Sequence, residues 1–176
     1  MDNATRLLVQ YAHYHRDPRN IATHYIGIPL IAFALAALLA RLRLDTSGLV
    51  INADWVVWAL VTVWYLTLGQ RVLTGITALV LAGLVALAHP LGTAPLNTWL
   101  GWSLGCFVIG WVLQFVGHYW EGRKPAFVDD LRGLLIGPMF VVAELGFTLG
   151  AGKALQSKID AAAGPVQRRR PSRHQA

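Results

Sequence analysis

Cysteine is nearly missing from the 176 residues: Cys106 stands alone among apolar neighbours. That excludes a disulfide within the chain and argues against thiolate metal ligands. Charge is scarce as well, with Asp, Glu, Lys and Arg making up 14% of the residues, where a soluble domain carries about 25%. Strand-like alternation and internal repeats are lacking. No cleavable leader is expected, because the first apolar run starts only after Tyr25 and follows several charges.

What the chain has instead is hydrophobicity, 55% of its residues, gathered in long blocks. Blocks of that length point to a single all-α domain, a polytopic membrane bundle of about four crossing helices. The net charge of +6 is concentrated in the tail Arg168-Arg169-Arg170-Pro171-Ser172-Arg173. With no soluble basic domain around it, that cluster reads as a positive-inside anchor beside membrane lipids, and no nucleic-acid partner is expected. Residues 1–152 form the membrane domain in this reading, and residues 153–176 a basic tail without fixed structure.

In chain order, residues 2–16 predict a short amphipathic helix with Leu7, Leu8, Tyr11 and His15 on one side. Pro18 stops it, and Asn20 is placed to cap the next helix. Membrane helices are then expected over Thr23–Leu42, Asp54–Leu68, Val72–Leu91 and Thr98–Tyr119. A fifth apolar segment, Leu131–Gly150, contains Gly137, Pro138 and Glu144. If the N-terminus is cytoplasmic and four helices cross, a fifth crossing would strand six tail cations outside, against the positive-inside rule. A segment broken at Gly137-Pro138 that does not cross leaves thirteen cations inside and two, Arg41 and Arg43, outside. Such a segment packs over a cavity, with Glu144 turned inward because it would be costly against lipid.

That topology sorts the six histidines. His15 and His24 bracket the cytoplasmic entrance of the first membrane helix, and the fourth helix returns His118 and Glu121 to the same level. His89 falls on the opposite side and His174 in the tail; His13 and His15 cannot face one point, and His15 shares the Leu8-Tyr11 face. Gln114, His118 and Glu121 follow at helical spacings of four and three, on one face. Three imidazoles, with or without a carboxylate, suit zinc or ferrous iron. Blander readings stand beside this: solvated interfacial histidines, Asn20 as a cap, and a Glu121–Lys124 ion pair at spacing three. The seven tryptophans read as interfacial-belt and packing residues.

Two stretches carry a family resemblance. Tyr14-His15-Arg16-Asp17-Pro18-Arg19-Asn20-Ile21-Ala22-Thr23-His24-Tyr25-Ile26-Gly27-Ile28-Pro29 resembles an H-x4-N-x3-H-x2-G-x-P signature. Trp111 through His118, with Glu121 and Lys124-Pro125-Ala126, resembles a second signature, and Gly137-Pro138-Met139-Phe140 with Glu144 a third. The family is that of the 2-hydroxy fatty acid dioxygenases of yeast phytosphingosine degradation and their bacterial relatives.

The resemblance implies Fe(II)-dependent α-oxidation without 2-oxoglutarate: a long-chain 2-hydroxy fatty acid and O2 give the acid one carbon shorter and CO2. It implies His15, His24 and His118 as metal ligands, which zinc could equally occupy in a purified sample. Asn20, Gln114, Glu121 and Glu144 are its accompanying positions. Glu121 or Glu144 would serve as a fourth ligand, a proton acceptor or a partner orienting a histidine, and Arg123 or Lys124 would steady the substrate carboxylate. A bacterial inner-membrane protein with both termini and the site on the cytoplasmic side is the expected setting. A b-type haem protein and a non-catalytic lipid-binding scaffold are the two alternatives; oligomeric state is left open.

Overall fold

The computed structural model describes residues 1–46 and 48–169. Arg170, Arg173 and His174 of the tail lie outside the described residues. Helix α1, Asn3–Ala12, starts where the Asp2 carboxylate accepts the Thr5 N–H at 2.8 Å, satisfying one of the free donors of a helix start. It buries Leu7, Leu8 and Tyr11 and ends four residues before the expected Arg16. His15 therefore sits in the turn that follows, not on the helix.

Helix α2, Pro18–Ala40, begins earlier than expected. Asp17 rather than Asn20 is its cap, accepting the Arg19 N–H at 2.9 Å, and Pro18 occupies the first turn, where its missing N–H costs nothing. Asn20 is thereby moved inside the helix and buried, and Pro29 lies well within it.

An antiparallel pair of short strands, β1 Arg43–Thr46 and β2 Leu49–Asn52 with Arg43 opposite Asn52, reverses the chain. Helix α3, Ala53–Leu66, carries it back to α1, where the Leu68 carbonyl accepts the Ala4 N–H at 2.9 Å. Helix α4, Arg71–Ala88, continues through a 3-10 turn at His89–Thr93, and α5 runs from Leu96 to Glu121. Among the described residues, three helices are long and apolar enough to cross a membrane: Pro18–Ala40, Arg71–Thr93 and Leu96–Glu121. The expected crossing in between, α3, has 14 residues, about 21 Å at 1.5 Å per residue.

Helix α2 is the centre of the bundle. It packs along α5 on one side and against α3, α4 and α6 on others. The α2–α5 contact is close because glycines line it. A Cβ on Gly27 would lie 2.9 Å from the Gly110 carbonyl oxygen, and one on Gly117 would collide with the Asn20 and Thr23 side chains. Small residues of this kind let membrane helices approach backbone to backbone.

The fifth segment does break, but not at Gly137-Pro138. Helix α6, Gly133–Thr148, runs through Pro138, which falls in its second turn, and the Tyr65 hydroxyl donates to the neighbouring Leu135 carbonyl at 2.5 Å. The chain turns instead at Leu149–Gly152, where Gly150 and Gly152 take φ of 84° and 67°, the left-handed region that suits glycine. Helix α7, Lys153–Ala163, leaves at 114° to α6. The segment expected to lack structure past Gly152 thus contributes a helix. Its Ile159 is buried with Leu8, Met139 and Phe140, which is what orders it.

Candidate metal centre

His15, His24 and His118 come from three pieces of chain and meet. One nitrogen from each ring lies within 4.8 Å of the others, and all three side chains are buried. His15 is delivered by the turn after α1, with its ring stacked on Tyr11 at 4.0 Å and 5°. His24 is one turn beyond Asn20 on α2, and His118 is in the last turn of α5.

The hydrogen bonds fix two of the three tautomers. His15 Nδ1 lies 2.7 Å from the Tyr11 carbonyl oxygen and His24 Nδ1 2.8 Å from that of Asn20. A carbonyl only accepts, so each Nδ1 carries its proton, and in the neutral rings each Nε2 is a bare lone pair. Those two Nε2 atoms are 3.0 Å apart. Two lone pairs at that distance repel unless a cation or a shared proton lies between them. Burial, with His24 and His118 alongside, pushes the His15 pKa well below the usual imidazole value, so the protonated alternative is disfavoured. His118 Nδ1 is buried without a hydrogen-bond partner. The donor set therefore fits a divalent metal ion.

Both carboxylates of the expected site lie behind the triad rather than in it. Glu121 is committed to the turn carrying His15: it accepts the Arg16 N–H at 3.0 Å, the Asp17 N–H at 2.8 Å and the Asn20 Nδ2–H at 3.1 Å, and pairs with Arg169 at 2.8 Å. Glu144 faces inward, as expected, and pairs with Arg16 Nη2 at 3.0 Å. Neither shares a cluster with the three ring nitrogens.

A cavity of about 420 Å³ leads away from the triad. Tyr11, His24, Gln114 and His118 form its head, and Ile28, Ile31, Leu35 and Leu39 mark its course along α2 towards Asp54 and Val85. Gly133, Leu134, Leu135, Gly137 and Pro138 of α6 line it too. The Gln114 side-chain Nε2 is buried there with no partner. At the opposite end Asp54 pairs with His89 at 2.6 Å, so His89 is far from the triad, as the topology required.

Arg123 and Lys124 are not at the cavity. Gly122, with φ of 66°, ends α5 and turns the chain away. Arg123 donates to the His13 carbonyl at 2.9 Å, and Lys124 pairs with Asp129 instead of Glu121, at 2.5 Å. Arg123 lines a second, more polar hollow with Tyr14, Asp130 and Arg132.

Sequence reasoning counted Arg16 only as a topology charge. Its guanidinium is 2% exposed and also bonds the His15 carbonyl and Asp160. The signal available was its position between His15 and Asp17. Tyr11 gave none beyond its apolar face.

The family described as 2-hydroxy-palmitic acid dioxygenase Mpo1-like matches residues 1–149. The chain is 34% identical over 154 residues to the 2-hydroxy-palmitic acid dioxygenase MPO1 of Saccharomyces cerevisiae (strain ATCC 204508 / S288c), covering 85% of this chain and 83% of that one. No solved structure matches it.

Proposed function

This chain belongs to the 2-hydroxy-palmitic acid dioxygenase Mpo1-like family, and on that premise we propose that it is a membrane-embedded dioxygenase of long-chain 2-hydroxy fatty acids. It uses one Fe(II) held by His15, His24 and His118. The reaction takes a 2-hydroxy acid and O2 to the acid one carbon shorter, CO2 and water. The observation that carries the metal is the opposition of two Nε2 lone pairs at 3.0 Å with both Nδ1 protons committed to carbonyls. A haem between those rings has no room for its macrocycle, which favours a bare ion over the b-type haem reading.

When bound, the iron supplies the activation of O2 next to the substrate's C1–C2 bond. The protein's own residues do the rest. The Tyr11 and Asn20 carbonyls hold two imidazoles in the ligating tautomer. Glu121 fixes the turn that presents His15, and Glu144 acts through Arg16. The unpartnered Gln114 amide donates to the hydroxyl or carboxylate of the substrate head. The acyl chain lies in the apolar cavity along α2. Among the described residues lining that cavity there is no Lys or Arg. The reaction as proposed balances without 2-oxoglutarate. Arg123 and Lys124 act only at the water-side rim, beside the second hollow. The charge distribution along the chain supports a bacterial inner-membrane setting with the histidines on the cytoplasmic side.

Metal analysis of anaerobically purified wild type and His118→Ala, paired with 2-hydroxypalmitate turnover, tests this. The expected result is about one iron per chain, as one three-histidine site implies, lost together with turnover in the variant. Folded wild type with neither metal nor turnover would replace the proposal with a lipid-binding scaffold.

A further inference from the structure

Residues 1–149 are the part that matches the family, yet the segment beyond them reaches back to the turn carrying His15. Arg16, next to that ligand, is buried, and a guanidinium keeps its charge when buried, so it must be paired. Glu144 meets one end. The other end, Nη1, donates to Asp160 at 3.0 Å and to the Gly164 carbonyl at 3.1 Å, both from the segment past residue 149. Glu121 is also buried, and its cationic partner within bridging distance is Arg169 at 2.8 Å. The backbone follows the same line: the Gln167 N–H donates to the Arg16 carbonyl at 3.0 Å and the Arg169 N–H to Asp17 at 2.8 Å.

We infer that residues 153–169 are a strap belonging to the metal centre, in which Asp160 and Arg169 are positioning residues that hold the His15 turn against the end of α5. Asp160 completes the charge pairing of Arg16. Arg169 supplies a counter-charge to Glu121 while that carboxylate grips the Arg16 and Asp17 amides. Without the strap, Glu121 tethers the turn to α5 with no other cation in bridging distance among the described residues. The inference rests on the three histidines being a metal site, and its test separates the two.

Asp160→Asn, Arg169→Ala and Arg169→Lys are made in the full chain, and two quantities are read. The first is Co(II) affinity by chelator competition. The second is amide hydrogen exchange of the peptide spanning residues 10–18. Asp160→Asn and Arg169→Ala should each weaken Co(II) about tenfold, the range for groups behind a ligand, and Arg169→Ala should speed exchange at the Arg16 and Asp17 amides. Arg169→Lys, which restores the charge, should recover most of both. Trp99→Phe, which loses a bond to the Ala37 carbonyl at the far end of the bundle, should leave that peptide's exchange unchanged, separating positioning from general loosening. Unchanged affinity and exchange in both Asp160→Asn and Arg169→Ala would overturn the strap. Should the wild type bind no Co(II), the metal reading falls, and the exchange rates alone decide the strap: faster in Arg169→Ala upholds it, unchanged rejects it.

Discussion

His15 and His24 point their Nε2 atoms at each other across 3.0 Å while each Nδ1 is held by the carbonyl of the residue four positions earlier, Tyr11 and Asn20. The two lone pairs converge at a cost that a bound cation would relieve. Removing the metal should therefore lower the thermal midpoint, and adding Fe(II) should restore it. Saturation to 100 times the dissociation constant is worth about 2.7 kcal/mol. In His24→Ala the chelator-dependent shift should vanish, which differential scanning fluorimetry in detergent would read directly.

Glu121→Gln tests the carboxylate behind the triad. The amide would keep one acceptor and turn its NH2 donor towards the backbone N–H groups of Arg16 and Asp17 or towards Arg169. Leaving buried donors unmatched and a cation unpaired should destabilise the protein by about 3 kcal/mol and weaken metal binding by about 10–100-fold. Denaturant unfolding and chelator competition measure the two effects. Turnover lost with stability and metal affinity intact would make Glu121 a group in the reaction itself.

Gly117→Ala places a methyl group against Asn20, whose backbone carbonyl accepts from His24 Nδ1 and whose side-chain amide donates to Glu121. Overpacking of this kind costs about 1–3 kcal/mol, and the displacement is transmitted to His24. Gly105→Ala is the control, because nothing lies within 4 Å of a Cβ there. Unfolding midpoints should separate the two variants, with Gly105→Ala close to wild type.

Gln114→Leu removes the unpartnered amide at the cavity head while preserving apolar volume. Metal content should stay near stoichiometric. The KM for a 2-hydroxy acid should rise by about tenfold or more, the value of a buried hydrogen bond to a charged head group. Steady-state kinetics beside iron analysis would check both, and an unchanged KM would remove Gln114 from substrate binding.

Much of the site was legible because it depends on local spacing and on counting charges. The four-residue interval from Asn20 to His24 and the Gln114, His118, Glu121 face both follow from helical period, and both are found on α2 and α5. Choosing His15 over His13 followed from the Leu8-Tyr11 face, and setting His89 apart from where the cations fall along the chain. Less legible was the exact start of α2, because Asp17-Pro18 and Asn20 are both good opening residues. The proline at a first turn decided in favour of the earlier one.

The sequence by itself determined that this is a bundle of membrane helices and that three imidazoles can reach one level of it, since hydrophobic blocks and helical period act over short stretches of chain. Only the tertiary structure decided what the charged groups do. Arg16 meets Glu144, 128 residues away, and Asp160, 144 residues away; Glu121 grips the amides of a turn more than 100 residues earlier; Lys124 goes to Asp129 and not to the cavity. A buried charge takes whichever opposite group the packing brings within reach, and that choice is set by the packing of the whole bundle.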